Sequence, residues 1–184
     1  MKKLVALMGS PRKQGNTATL VGEIIRGAQA SGAEAEIFNL NEMKITPCQS
    51  CFHCRANEEC AVKDDMEKVY SAVKAADAVV IGSPVYMFQV NAQTKLLFDR
   101  LFPMMDAKFQ PRHGVKKTLV VLAQGNPDPG AFKASWDANA QVLKVMGLEV
   151  TDTLIAAGAN DPKAAGADAA LMAKAFQAGQ ELVK

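Results

Sequence analysis

Leu4-Val5-Ala6-Leu7-Met8-Gly9-Ser10-Pro11-Arg12-Lys13-Gln14-Gly15-Asn16-Thr17 is the stretch whose reading decides the fold. Its first residues are apolar without polar alternation, the pattern of a strand buried on both faces, and Gly9 and Pro11 end it. A helix then begins near Asn16 or Thr17. The loop between them holds small and hydrogen-bonding residues (Gly9, Ser10, Gly15, Asn16, Thr17) and one fixed cation, Arg12. At a helix N-terminus such a loop offers converging N–H groups, hydroxyl donors and a positive dipole end, which together suit a phosphate. No Gly-Lys-Ser/Thr closes it as in a Walker loop, and it lacks the G-x-G-x-x-G dinucleotide fingerprint. The plainer alternative is a strand-to-helix turn capped by Asn16 or Thr17.

Outward from this stretch the chain keeps alternating. Leu20, Ile24, Ile25 and Ala28 predict a helix over residues 17–31, and Gly32 sits where a left-handed cap would end it. Residues 35–40 predict a second strand. Residues 41–63 show no sustained period and read as an ordered insertion around four cysteines. Asp64 and Glu67 resemble a capping box opening a helix over 65–75. Residues 78–82 are a second buried strand, ending in Ser83-Pro84-Val85-Tyr86, after which the chain should pass at once into loop. A helix follows over 91–101, then an irregular stretch over 102–112. Residues 118–123 are a third buried strand, with Gln124-Gly125-Asn126-Pro127 at its end. A helix over 132–146 stopped by Gly147, a strand over 149–155 and a closing helix over 164–183 complete the chain.

Strands alternating with helices predict a parallel sheet covered on both faces by right-handed crossovers. Five strands fit one flavodoxin-like, three-layer α/β/α domain over residues 1–184, doubly wound in the order 2-1-3-4-5, with the cysteine insertion after strand two. In that order the first, third and fourth strands are neighbours. Their polar loops then line one cleft at the carboxyl ends of the strands, which strengthens the phosphate or nucleotide reading.

The bulk composition narrows the classes further. With 184 residues, 49% of them hydrophobic, the chain can close a single core. A net charge of +2 without a basic stripe, and 6% aromatic content, argue against a nucleic-acid partner. The apolar run after Lys2 and Lys3 is too short for a signal segment or membrane span, so the expectation is a soluble cytoplasmic protein without a membrane partner. In a reducing compartment Cys48, Cys51, Cys54 and Cys60 point to a metal or redox role. Their C-x2-C-x2-C-x5-C spacing resembles that which wraps a [4Fe–4S] cubane, each thiolate on a different iron, whereas structural zinc usually separates two C-x2-C halves by a longer loop. Zinc and free or partly oxidised thiols stay open as alternatives. His53 lies inside the motif, with a solvated role the simpler one.

The first loop together with Ser83-Pro84-Val85-Tyr86 resembles the NADPH-dependent FMN reductase family of the flavodoxin-like superfamily. The cysteine motif resembles that of its iron–sulfur flavoprotein branch. By that resemblance Ser10, Arg12, Asn16 and Thr17 hold the FMN phosphate. Pro84, Val85, Tyr86 and Met87 run along the isoalloxazine ring, and Gln124, Gly125 and Asn126 close its other side. Cys48, Cys51, Cys54 and Cys60 carry the cluster. The implied activity is electron transfer between a reductant such as NAD(P)H or ferredoxin and a small-molecule or protein acceptor, with no side chain required as general acid or base. A homodimer or homotetramer is implied as well. The alternatives are a cluster-free flavin, quinone or nitro-compound reductase with structural or redox-sensing cysteines, and a nucleotide- or metal-binding module without turnover.

Other conspicuous residues have plainer readings. Trp136 is expected to pack, His113 to sit in a loop, the methionines to fill core and interface, and Asp99 with Arg100 to form a solvated or interface ion pair. The group Phe98, Leu101, Phe102, Met104, Met105 and Phe109 exceeds one helix face and predicts a subunit contact.

Overall fold

The computed structural model describes residues 1–184. Five parallel strands form its sheet: β1 (Lys3–Met8), β2 (Glu34–Asn39), β3 (Ala78–Tyr86), β5 (Lys116–Ala123) and β6 (Leu148–Ala156), in the order β2-β1-β3-β5-β6. This is the expected doubly wound order. A sixth strand, β4 (Gln89–Val90), pairs antiparallel with the end of β3. The central strands are buried on both faces because helices cover both, so their sequences show no polar alternation.

On one face lie α1 (Asn16–Ala30), the short α6 (Ala164–Ala167) and α7 (Ala169–Leu182). On the other lie α3 (Met66–Ala75), α4 (Ala92–Arg100) and α5 (Lys133–Val145). Helices α1 and α7 cross at near backbone contact: a Cβ on Gly27 would lie 2.0 Å from the Phe176 carbonyl oxygen, and one on Gly179 2.0 Å from that of Ile24. Glycine at the crossing admits the close approach that any side chain would prevent. Gly32 and Gly147, each at φ +84°, follow α1 and α5 in the left-handed conformation foreseen for them.

Four local expectations are corrected. The chain does not leave the sheet at Pro84: residues 84–86 continue β3, and Met87 (φ +46°) and Phe88 (φ +66°) turn it back into β4. The closing helix is broken at Asp168, whose carboxylate accepts from the Leu171 amide and starts α7 afresh. Asp64 forms no capping box, because its oxygens accept from the Met66 and Thr46 amides and from Arg100, while Glu67 pairs with Lys63. The apolar group around Phe98 is not a surface patch. Phe98, Leu101, Met104 and Met105 are buried within the chain under the cysteine segment, and only Phe109 of that group is largely exposed.

Candidate functional site

The loops after β1, β3 and β5 leave neighbouring strands at the same end of the sheet, with Met8 beside Gly82 and Pro84 beside Ala123. The Gly9 amide donates to the Gly82 carbonyl at 2.7 Å, so the first loop stays locked to β3 after β1 has ended. Asn91 completes the lock. Its Nδ2 donates to the Gly9 carbonyl at 2.6 Å, its Oδ1 accepts from the Thr94 amide and hydroxyl, and its amide donates to Ser83 Oγ. A Cβ on Gly9 would meet Thr94 Oγ1 at 1.9 Å, so only glycine fits there. Asn91 and Thr94 stand at N-cap and N3 spacing, the signal by which sequence alone could have found them.

Each predicted residue of the first loop has a distinct position. Ser10 is buried, and its hydroxyl is tied to the backbone of Arg12 at 3.2–3.4 Å, which shapes the loop. Arg12 is exposed, and its guanidinium has no partner in the chain. Asn16 turns away from the loop: its Nδ2 donates to the Ala159 and Asp161 carbonyls at 3.1 and 2.8 Å, and its Oδ1 accepts from the Ala165 amide at 2.8 Å. That side chain ties the start of α1 to the segment after β6. Thr17 is buried, with a hydroxyl bonded to no protein group. The first amide of this region bonded to a preceding carbonyl is Thr19, to Gly15, which leaves those of Asn16, Thr17 and Ala18 open at the positive end of α1.

Opposite this loop, Pro84 and Val85 lie at the end of β3, while Tyr86 and Met87 are exposed at the tip of the β3–β4 hairpin. Phe88 packs edge-on against Phe132 with ring centroids 5.4 Å apart, bracing the hairpin against the N-terminal end of α5. After β5, Gln124 is buried and its Nε2 donates to the Asn126 and Asp128 carbonyls, while Asn126 Oδ1 accepts from the Asp128 amide. These bonds set the shape of their own loop, in which the amides of Gly125 and Asn126 have no acceptor in the chain. Asn160, which sequence reading missed, closes over Gly125 by donating to its carbonyl at 3.2 Å.

The four cysteines lie apart from these loops, and all of them border one cavity of about 570 Å³. Cys48 and Cys51 are exposed, Cys54 is buried on α2 (His53–Ala56), and Cys60 is half-buried. Ser50 and Phe52, at φ +52° and +56°, flank Cys51 in the left-handed region, a strained backbone that holds the thiol turn. Burial pushes the Cys54 thiol up, and the nearby Cys60, Cys48 and Cys51 add to the shift. No three Cys, His, Asp or Glu side chains converge closely enough to hold a single metal ion. His53 is exposed beside Asn57, as its plainer reading expected.

Around this cavity the segment is bolted down by arginines. Arg55 donates to the Asp106 and Ala107 carbonyls and lies over the Phe109 ring at 4.4 Å. Arg112 donates to the Cys54 and Met105 carbonyls. Arg100 overturns the expected pairing with Asp99. It is 1% exposed and forms an ion pair with Asp64 at 2.6 Å, whereas Asp99 pairs on the surface with Lys95. Burial opposes ionisation of Asp64, but the Arg100 guanidinium and the Thr46 and Met66 amides outweigh it and hold the carboxyl below its usual range. Trp136 packs as expected, its Nε1 donating to Thr153 Oγ1.

The doubly wound sheet and its loop cluster define a flavodoxin-like protein with the open amides of a helix terminus at the strand ends. Residues 2–159 match the sequence model of NADPH-dependent FMN reductases; the chain belongs to that family and is a flavin-dependent oxidoreductase. It is 32% identical over 162 residues, 88% of this chain and 79% of the relative, to an iron-sulfur flavoprotein of Methanocaldococcus jannaschii. An iron-sulfur flavoprotein of Archaeoglobus fulgidus is 39% identical over 101 residues, 55% of this chain and 46% of that one. The fold is shared with an FMN-dependent NADH-azoreductase from Bacillus anthracis in complex with FMN (TM-score 0.72, 14% identity, both chains covered in full). It is shared as well with an NAD(P)H:quinone oxidoreductase from Methanothermobacter marburgensis (TM-score 0.71, 16% identity, 98% of this chain and 96% of that one). No helix is long and apolar enough to cross a membrane.

Proposed function

We propose that this chain binds FMN at the three-loop cleft, holds a [4Fe–4S] cluster on Cys48, Cys51, Cys54 and Cys60, and passes electrons between a reductant such as NAD(P)H or ferredoxin and a small-molecule or protein acceptor. The observation that carries the reading is that all four thiols border one cavity. In such a cluster each thiolate meets a different iron, so the four need not converge on one point as a zinc ion would require. The kinship with proteins named iron-sulfur flavoproteins supports it independently.

The residues of the cleft fit a flavin phosphate. The open amides of Asn16, Thr17 and Ala18, the free Thr17 hydroxyl and the unpaired Arg12 guanidinium are the donors the loop offers. Ser10 and Asn16 act differently: the first fixes the loop, and the second fixes the helix start, leaving its own amide for the anion. Pro84, Val85, Tyr86 and Met87 would supply one wall for the ring, and the backbone of Gln124, Gly125 and Asn126 another. FMN held there would accept an electron pair as one hydride and could release the electrons singly, and a cluster on the four cysteines would carry one at a time, so the two together would supply pair-to-single-electron exchange. Asn139 borders the thiol cavity and donates to Gln89 in the hairpin, so one α5 residue touches both regions.

Cys54→Ser tests the division of labour. The expected variant keeps FMN and its reduction by the donor, loses iron and sulfide, and loses turnover with one-electron acceptors. Unchanged turnover with those acceptors would exclude the cluster from the electron path and leave a plain flavin reductase.

A further inference from the structure

The guanidinium of Arg100 is buried beside the cysteines and is not fully used by its ion pair. Its Nη1 donates to Asp64 and to the Thr46 carbonyl, and its Nη2 donates to Asp64, to the Val62 carbonyl and, at 3.6 Å, to the sulfur of Cys60. Its Nε–H has no partner, although the side chain is 1% exposed and borders the thiol cavity. A buried N–H left unpaired is disfavoured, so an orphan of this kind on a residue bordering a cavity is a donor free for an acceptor. The Tyr70 hydroxyl fixes the same residue from behind by donating to the Arg100 carbonyl.

We infer that Arg100 is the positioning residue of the cysteine centre: it places Cys60, directs one N–H donor at that sulfur and keeps a second free N–H, favouring the reduced form of the group the thiols hold. The inference rests on the proposed reading of the thiols as cluster ligands. Asp64 neutralises the guanidinium charge in the resting state. The Nη2 donor nevertheless stays on the Cys60 sulfur, and its attraction would grow as that sulfur became more negative on reduction. Hydrogen bonds to cluster sulfurs are among the factors that set reduction potential. The Cys60 sulfur is also tethered through Arg100 to the C-terminal end of α4, the helix whose start locks the flavin loop through Asn91. One helix thus braces both sites.

Two variants test this: Arg100→Lys, which keeps the charge but loses the planar fork, and the pair Asp64→Asn with Arg100→Gln, which removes both charges so that no carboxylate is orphaned. Each is purified without oxygen. Iron and sulfide are counted, bound FMN and circular dichroism are checked, and the midpoint potential of the cluster is measured by spin-resonance titration. The expected result is a loaded cluster in both, with the reduced-to-oxidised ratio at fixed poise at least about tenfold lower in the paired variant, or 59 mV for a one-electron couple. Arg100→Lys should fall between it and the unaltered protein. A loaded cluster with unchanged potential in both variants overturns the inference. So does loss of FMN and secondary structure in both, which would make Arg100 a structural ion pair only. Absence of iron and sulfide from the unaltered protein removes the cluster reading itself, a result distinct from either.

Discussion

Replacing Asp64 by alanine is expected to destabilise the protein by about 3–5 kcal/mol, because it leaves the Arg100 guanidinium buried without its counter-charge. At about 2–4 °C per kcal/mol for a chain of this size, melting should fall by about 6–20 °C. The loss has two further parts. The Asp64 carboxylate accepts from the Thr46 and Met66 amides, so the start of the cysteine segment and the start of α3 both come loose. Because its folded-state pKa is depressed, the carboxylate stabilises the protein at neutral pH, and that contribution disappears as pH falls through the lowered value. Acid should therefore weaken the unaltered protein more steeply than Asp64→Asn. Asp99→Ala, which removes only an exposed pair with Lys95, should change stability by less than about 1 kcal/mol. Equal small effects from Asp64→Ala and Asp99→Ala in urea unfolding would contradict the account.

Asn16→Ala should have the second largest effect, and it joins stability to flavin binding. The substitution removes three hydrogen bonds that span from α1 to the segment after β6, and leaves the Ala165 amide and two carbonyls without that partner. The buried Ala165 amide so orphaned costs about 1–3 kcal/mol, and with the lost bonds to the half-buried Ala159 and exposed Asp161 carbonyls a total of about 2–4 kcal/mol is expected. The first turn of α1, whose open amides are the proposed phosphate donors, loses its anchor, and FMN affinity should fall by about tenfold or more, the cost of roughly 1.4 kcal/mol of lost positioning. Urea unfolding and fluorescence titration with FMN read the two effects separately. Retention of both stability and affinity would show that the helix start is held by something else.

Much of this was legible in the sequence because the signals were local. Continuous apolar runs ending in glycine and proline mark buried parallel strands, and Gly32 and Gly147 mark helix ends by a conformation other residues avoid. The three loops fell together because the flavodoxin-like order sets β1, β3 and β5 side by side. What the sequence hid was non-local or unsignalled. The Met87–Phe88 turn uses left-handed residues that are not glycine, asparagine or aspartate, so the hairpin gave no turn signature. Asp64 and Arg100 are thirty-six positions apart, and nothing periodic links them. The Phe98 group reads as surplus apolar surface until the cysteine segment and the stretch after α4 fold over it. In the first loop Asn16 spends its side chain on the fold. Side-chain hydrogen bonds across 143 residues have no counterpart in spacing rules.

The central claim is that four cysteines around one cavity hold an iron–sulfur cluster beside a bound flavin. It is tested most directly by iron and acid-labile sulfide per FMN in protein prepared without oxygen. The account predicts about four of each per flavin. FMN at full occupancy with neither iron nor sulfide, persisting after reconstitution, would contradict it and leave Cys48, Cys51, Cys54 and Cys60 as thiols on a plain flavin reductase.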